Sequence, residues 1–140
     1  EDDDEEGGAE YSESTYKFED FVKRLPNPRI VRTCGMALRR YDRNSVYTNH
    51  CIVKLLHRIA FDCKMYVVLF QVSIFKTFDR IFASQELPQY SELVRFATYI
   101  MKQFFKLSTT NIGVFVEALF WKTSKDAYEI ENGYGSYKNV

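Results

Sequence analysis

The sequence predicts an all-α domain: a fragment of a HEAT- or armadillo-like helical repeat (α-solenoid) with about six helices. Three observations carry this reading. Apolar side chains recur at helical spacing from residue 16 to residue 121. Only three prolines and six glycines interrupt the 140 residues, and four of the glycines stand at Gly7, Gly8, Gly133 and Gly135, away from the centre. The central helices also fall into two successive pairs of about 40 residues each, the period of HEAT and armadillo arrays. With 46% apolar residues and 23 aromatic side chains (12 Phe, 10 Tyr, 1 Trp), the chain can furnish the core of one domain.

Helix one, Tyr16 to Leu25, places Phe18, Phe21, Val22 and Leu25 on one face and stops at Pro26. Helix two starts on Asn27-Pro28, a capping side chain followed by a proline at the first helical position, and runs to about Tyr41. Asn44-Ser45 caps helix three, Val46 to Asp62, whose broad apolar surface calls for contacts on two sides. Helix four, Met65 to Phe82, is apolar nearly all round and reads as the central core helix. Helix five follows Pro88, from Tyr90 to Leu107. The cluster Ser108-Thr109-Thr110-Asn111 ends it and caps a sixth helix carrying Ile112, Val114, Phe115, Val116, Leu119, Phe120 and Trp121. After Ser124 the pattern fades.

The 19 basic and 19 acidic residues balance, yet eight of the acids (Glu1, Asp2, Asp3, Asp4, Glu5, Glu6, Glu10, Glu13) lie in the first fourteen residues with no base among them. The remainder holds 19 basic against 11 acidic residues, a net charge of +8. The domain plan that follows is an acidic disordered leader at 1–14, a helical-repeat domain at 15–124 and an extended tail at 125–140.

The residues that carry chemistry form no catalytic constellation. Cys34, Cys51 and Cys63 are widely spaced, with no Cys-x-x-Cys, and read as buried free thiols in a reducing compartment. His50 and His57 are two helical turns apart, roughly 10 Å, too far to share one metal ion. Asp62 pairs with Arg58 at the i, i+4 spacing. Gly133-Tyr134-Gly135-Ser136 lacks the lysine and following helix of a phosphate-cradling loop and reads as a turn. The most apolar stretch, Met65 to Phe75, is too short to span a bilayer, and the acidic start is unlike a signal peptide, so a soluble intracellular protein is expected. No enzyme activity, cofactor, metal, membrane or small-molecule substrate is expected.

Two surfaces invite a macromolecular partner. Arg29, Arg32, Arg39, Arg40 and Arg43 share one face of helix two and read either as a solvated outer face or as a grip on phosphates or an acidic segment, the chain's own leader included. Phe104, Phe105, Phe115, Phe120 and Trp121 exceed the aromatic content a terminal helix needs. They read either as core or as the anchors of a partner groove.

The run Thr48-Asn49-His50-Cys51-Ile52-Val53-Lys54-Leu55-Leu56-His57-Arg58-Ile59-Ala60-Phe61-Asp62, then Leu69-Phe70-Gln71-Val72-Ser73-Ile74-Phe75, Phe115-Val116-Glu117-Ala118-Leu119-Phe120-Trp121-Lys122 and Gly133-Tyr134-Gly135-Ser136, resembles the Timeless family across residues 15–136. The resemblance implies a piece of a longer nuclear protein, from the C-terminal part of its helical-repeat region after an acidic linker. It implies a non-catalytic scaffold that binds a Tipin-like subunit in the replication fork protection complex, meets other replisome components, touches duplex DNA and supports the S-phase checkpoint. A paralogous circadian-clock branch binding Period and cryptochrome is the alternative.

Overall fold

Three of the helices begin where a short polar side chain replaces an amide partner that the first turn lacks. The structure is a computed structural model that describes residues 15–140; the acidic leader expected at 1–14 lies outside the described residues. After the short α1 (Phe18–Val22), α2 (Pro28–Leu38) starts on Asn27, whose side chain accepts from the Arg29 N–H at 2.9 Å. α3 (Val46–His57) starts on Ser45, which accepts from the Thr48 N–H at 3.0 Å, and continues through a π-helical turn, Arg58–Asp62. A 3₁₀ turn, Tyr66–Leu69, precedes α4 (Val72–Ala83), and another, Pro88–Tyr90, leads into α5 (Ser91–Ser108). The one-turn α6 (Val114–Glu117) and α7 (Ser124–Asn132) complete seven α-helices, with no strand among the described residues.

α2 packs on α3 and α4 on α5, and the pairs stack with α2 against α4 and α3 against α5, the layering of a helical-repeat fragment. Val31, Leu38, Leu56, Ile59, Phe78, Ile81 and Ile100 fill the space between the layers and are almost completely shielded from solvent.

Polar groups fix how the layers meet. Asn49 is buried; its amide donates to the Tyr41 carbonyl (2.9 Å) and its oxygen accepts from the Asn44 side chain (3.1 Å), which also donates to the Ala37 carbonyl (3.0 Å). The Asn49 amide thus satisfies the Tyr41 carbonyl in the α2–α3 turn, and the Asn44 amide adds a second donor to the Ala37 carbonyl at the end of α2. The Tyr41 hydroxyl donates to the Arg80 carbonyl and the Arg80 guanidinium to the Arg39 carbonyl, tying the end of α2 to α4. His50 lies 2.8 Å from a Glu92 carboxylate oxygen and joins α3 to α5.

Three expectations are corrected. The helix expected over Met65 to Phe82 is split. Lys64 takes a left-handed φ of 53°, Val67 to Phe70 are buried in and just after the 3₁₀ turn, and Phe70 (φ −76°, ψ 79°) closes an inverse γ-turn in which the Gln71 N–H bonds the Leu69 carbonyl. The all-round apolar pattern therefore reports a plug packed against α2, α5 and α7 rather than a central helix. The sixth helix stops after one turn: the Leu119 and Phe120 N–H groups bond the Val116 and Glu117 carbonyls three residues back, at 3.0 and 3.1 Å, and the carbonyls around this turn take long-range donors. Ala118 accepts from the Val72 N–H, and the Lys122 ammonium takes Glu117, Phe120 and Phe70 at 3.0, 2.6 and 2.5 Å. Finally, the tail expected at 125–140 contains α7, started by a reciprocal capping box between Thr123 and Asp126 and held down by Ala127 and Ile130. Gly133 and Gly135, with φ of 113° and 84°, then turn the chain into a last 3₁₀ turn, Ser136–Asn139.

Lys122 is 2% exposed, and burial lowers its pKa from 10.5 to about 8, with Glu117 and Asp126 pulling in the opposite direction. Replacing it by methionine leaves three carbonyls without this donor, and we expect a loss of about 2–4 kcal/mol in urea denaturation, together with faster amide exchange across residues 117–121. Because the unfolded lysine keeps its proton to higher pH than the folded one, wild-type stability relative to Lys122→Met should rise as pH goes from about 8 to about 10.5, and the advantage should be lost on return through pH 8. A flat difference across that window would show that the ammonium is not desolvated. Asn49→Ala should cost about 1–3 kcal/mol through the stranded Tyr41 carbonyl, read as a lower urea midpoint with unchanged m-value.

Candidate interaction surfaces

The structure separates the aromatic residues singled out in the sequence. Phe104 is in the core, edge-on to Phe70 (5.2 Å between ring centroids), Phe75 (4.8 Å) and Phe115 (5.2 Å), and is unavailable to a partner. Its neighbour Phe105 touches the Phe104 ring edge-on (5.6 Å) and is exposed. Phe115 and Phe120 are exposed as well, while Trp121 is half-buried against the core. Because α6 is so short, three residues not singled out join this surface: Ile112 (80% exposed), Val116 (60%) and Leu119 (61%). Within ten residues, Val114, Ala118, part of Trp121 and the edge of Phe115 against Phe104 anchor the segment, while Ile112, Phe115, Val116, Leu119 and Phe120 each expose much of their apolar surface.

The five arginines are all exposed, and none forms an ion pair among the described residues. The nearby Asp42 pairs with Arg80 instead, at 3.6 Å. They are not one helical stripe, since α2 ends at Leu38 and Arg39, Arg40 and Arg43 lie on the turn beyond it. Arg29 flanks a shallow groove with Ile30, Thr33, Cys34 and Leu55. Arg32 and Arg39 border a different cleft, of about 290 Å³, whose walls include Met36, Gln71, Ser73 and Trp121.

That cleft is where the two predicted surfaces meet, and its floor depends on Gly35. A Cβ there would lie 3.3 Å from Ile74 Cγ1 and 3.8 Å from Trp121 Cη2, so glycine lets α2 approach α4 and the indole closely. The sequence signals for the missed residues were present. Met36 shares a helical face with Arg32 and Arg39, and Gln71 is the polar interruption in the most apolar run.

Other polar and aromatic residues gather between α3 and α5. A cleft between α3 and α5, about 400 Å³, is lined by His50, Lys54, His57, Glu92, Arg95 and Tyr99. The His57, Phe61 and Tyr99 rings stack in series, at 4.0 and 4.4 Å. Cys34 is buried, as expected, but Cys51 is exposed and Cys63 half-buried, its thiol donating to the Val22 carbonyl. Burial raises the pKa of Cys34, and burial with the Asp62 charge raises that of Cys63, the reverse of nucleophile activation. Among the described residues no group of three His, Cys, Asp or Glu side chains is placed to hold a metal ion, and no helix is long and apolar enough to cross a membrane.

A family model described as the TOF1-like, helical domain matches residues 28–128. Over 128 residues the chain is 45% identical to the protein timeless homolog of Homo sapiens, covering 91% of this chain and 11% of that protein. It is 36% identical over 133 residues to the protein timeless homolog of Caenorhabditis elegans, covering 89% and 10%. Over 130 residues it is 28% identical to topoisomerase 1-associated factor 1 of Cryptococcus neoformans, covering 85% and 12%. The chain thus spans about a tenth of the length of the curated relatives it matches. The matched helical segment contains both surfaces and the cleft between them, and it is by this TOF1-like helical domain that the chain belongs to the Timeless family.

Proposed function

We propose that this chain is a non-catalytic scaffold module that binds a Tipin-like subunit, within a nuclear fork protection complex serving replication-fork stability and the S-phase checkpoint. The observation that carries the reading is the row of exposed apolar side chains, Ile112, Phe115, Val116, Leu119 and Phe120, held outward by the short α6 and the Lys122 anchor. Such a surface gains most by burial against another polypeptide, and aromatic residues are the usual anchors of such contacts. No bond is made or broken; the helices hold the anchors in a fixed array. The family relation supports the choice of partner through the resemblance that implies it. The name of the fungal relative, an associated factor of topoisomerase 1, favours a replication setting over the circadian one with Period and cryptochrome.

Contact with duplex DNA is a second reading, supported by the five exposed arginines that form no ion pair among the described residues. Phosphate contacts through them would be salt-sensitive and indifferent to sequence.

The test is titration of the chain with a purified Tipin-type subunit. Leu119→Ser/Phe120→Ser, both at exposed positions, should weaken binding at least tenfold with helicity unchanged, and 0.5 M salt should leave much of the wild-type affinity in place. Undiminished affinity of that variant would remove the α6 surface from the interface. Arg40→Glu/Arg43→Glu should reduce affinity for duplex DNA and flatten its salt dependence; an unaltered salt slope would dismiss the second reading.

A further inference from the structure

The cleft between α3 and α5 plays no part in the scaffold reading, yet its lining is chemically mixed in a way that core packing does not require. It carries the stacked rings of His57, Phe61 and Tyr99, of which Phe61 is 36% exposed. Lys54 and Arg95 line it as well, both exposed and neither in an ion pair among the described residues. Glu92, the single acid of the lining, is engaged by His50. A shallow recess continues the cleft along α3. It shares His50 and Lys54 with the cleft, adds Tyr47, Cys51 and Arg58, and has no acidic side chain in its wall. Arg58 in turn lies over the ring of Phe18, the first residue of α1. An open trough therefore runs from the start of α1, past unpaired cations, to the aromatic stack.

The chain supplies its own match for this trough. Its first fourteen residues hold eight acids and no base, and they join the folded part at Thr15, three residues before the Phe18 ring that Arg58 covers. Glu13 and Glu10 precede Phe18 by five and eight residues, a reach of roughly 17 and 26 Å in extended chain. Along α3, the eight residues from Arg58 back to His50 span only about 12 Å. Both carboxylates can therefore reach the cations of the trough. Tyr11, the one aromatic residue of the segment, stands between them and offers a ring to the Phe61–Tyr99 stack. The short tether keeps these acids beside Lys54 and Arg95 at high effective concentration, so surface ion pairs that are weak between separate molecules act together here.

We infer that the chain's own acidic segment, residues 1–14, docks along this trough and occupies the α3–α5 cleft. Glu13 and Glu10 meet Lys54 and Arg95, and Tyr11 covers the exposed edge of the Phe61 and Tyr99 rings. The segment thereby links α1 to α5 across α3 and competes with any other anionic chain for the cleft. The inference is independent of the α6 surface, which is built from other residues, and of the identity of the scaffold's partner.

The test uses the whole 140-residue chain and Glu10→Gln/Glu13→Gln, which leaves every residue of the helical part unchanged. Cys51, exposed and set in the wall of the recess, is a native probe. Iodoacetamide should alkylate it at least threefold more slowly in wild type than in the variant, and 0.5 M salt should close most of that gap. In ¹⁵N spectra the same variant should move the Phe61, Arg95 and Tyr99 amides. Equal alkylation rates, or Phe61 and Tyr99 amides that stay in place, overturn the inference. The occupant is then identified with a synthetic peptide of residues 1–14. It should bind Glu10→Gln/Glu13→Gln at least fivefold more tightly than wild type, because the tethered competitor is weakened there, and Lys54→Glu/Arg95→Glu, at exposed positions, should abolish that binding with helicity unchanged. Equal affinity for wild type and the glutamine variant would make the cleft a site for a partner's acidic chain. A duplex oligonucleotide that moves the Tyr99 amide equally in both would make it a nucleic-acid surface. Either result rules out the chain's own segment as occupant, and neither bears on the Tipin-type subunit at α6.

Discussion

A single buried ammonium group organises the functional end of this domain. Lys122 threads its stem into the core and spends its three donors on the carbonyls of Phe70, Glu117 and Phe120. In doing so it joins two segments 52 residues apart. One is the γ-turn that lets the chain enter α4; the other is the turn that follows α6. The Glu117 carbonyl also accepts from the Phe120 N–H, so the ammonium reinforces the 3₁₀ turn by which the chain leaves α6, with Leu119 and Phe120 facing solvent beside Trp121. The lowered pKa of Lys122 is the electrostatic cost of this arrangement, and the three short hydrogen bonds offset it.

The contrast between what the sequence disclosed and what it hid follows the range of the interactions. The starts of α2 and α3 were legible because their causes are local: Asn27 before Pro28, and Ser45 three residues before Thr48. Phe104 was grouped with Phe105 as a partner anchor or core residue, although its place four residues after Ile100 and seven after Ala97 sets it on the buried stripe of α5 and Phe105 outside it. The break before Val72 was not, because Val67 to Phe70 suit a helix and a buried 3₁₀ turn equally well, and the choice is made by Ala118 and Lys122 far along the chain. α7 is an intermediate case. Its capping box was written at Thr123 and Asp126, but the stripe of Ala127 and Ile130 is too narrow to register as an amphipathic helix.

The candidate sites show the same division. Residue type alone separated basic from aromatic surface, but not the place where the two touch. Gly35 brings α2 close enough to α4 for Arg32 and Arg39 to stand beside the α4 N-terminus, and Trp121 closes the other side. That convergence depends on a missing side chain, a feature with almost no signature in composition or charge. Arg29, Arg40 and Arg43, alike in sequence, are left outside it.

The π-helical turn at Arg58–Asp62 bears on how α1 is held. A π-turn takes in one residue more than an α-turn, so the backbone leaves it with its side-chain phase displaced by about 100° from the continuation of α3. Cys63, the first residue beyond, owes to that displacement the direction in which its thiol meets the Val22 carbonyl of α1. The π-turn thus presents both ends of its span to the first helix: the Arg58 guanidinium lies 5.3 Å over the Phe18 ring and the Cys63 thiol meets Val22, so one surplus residue serves as an indexing step for two contacts.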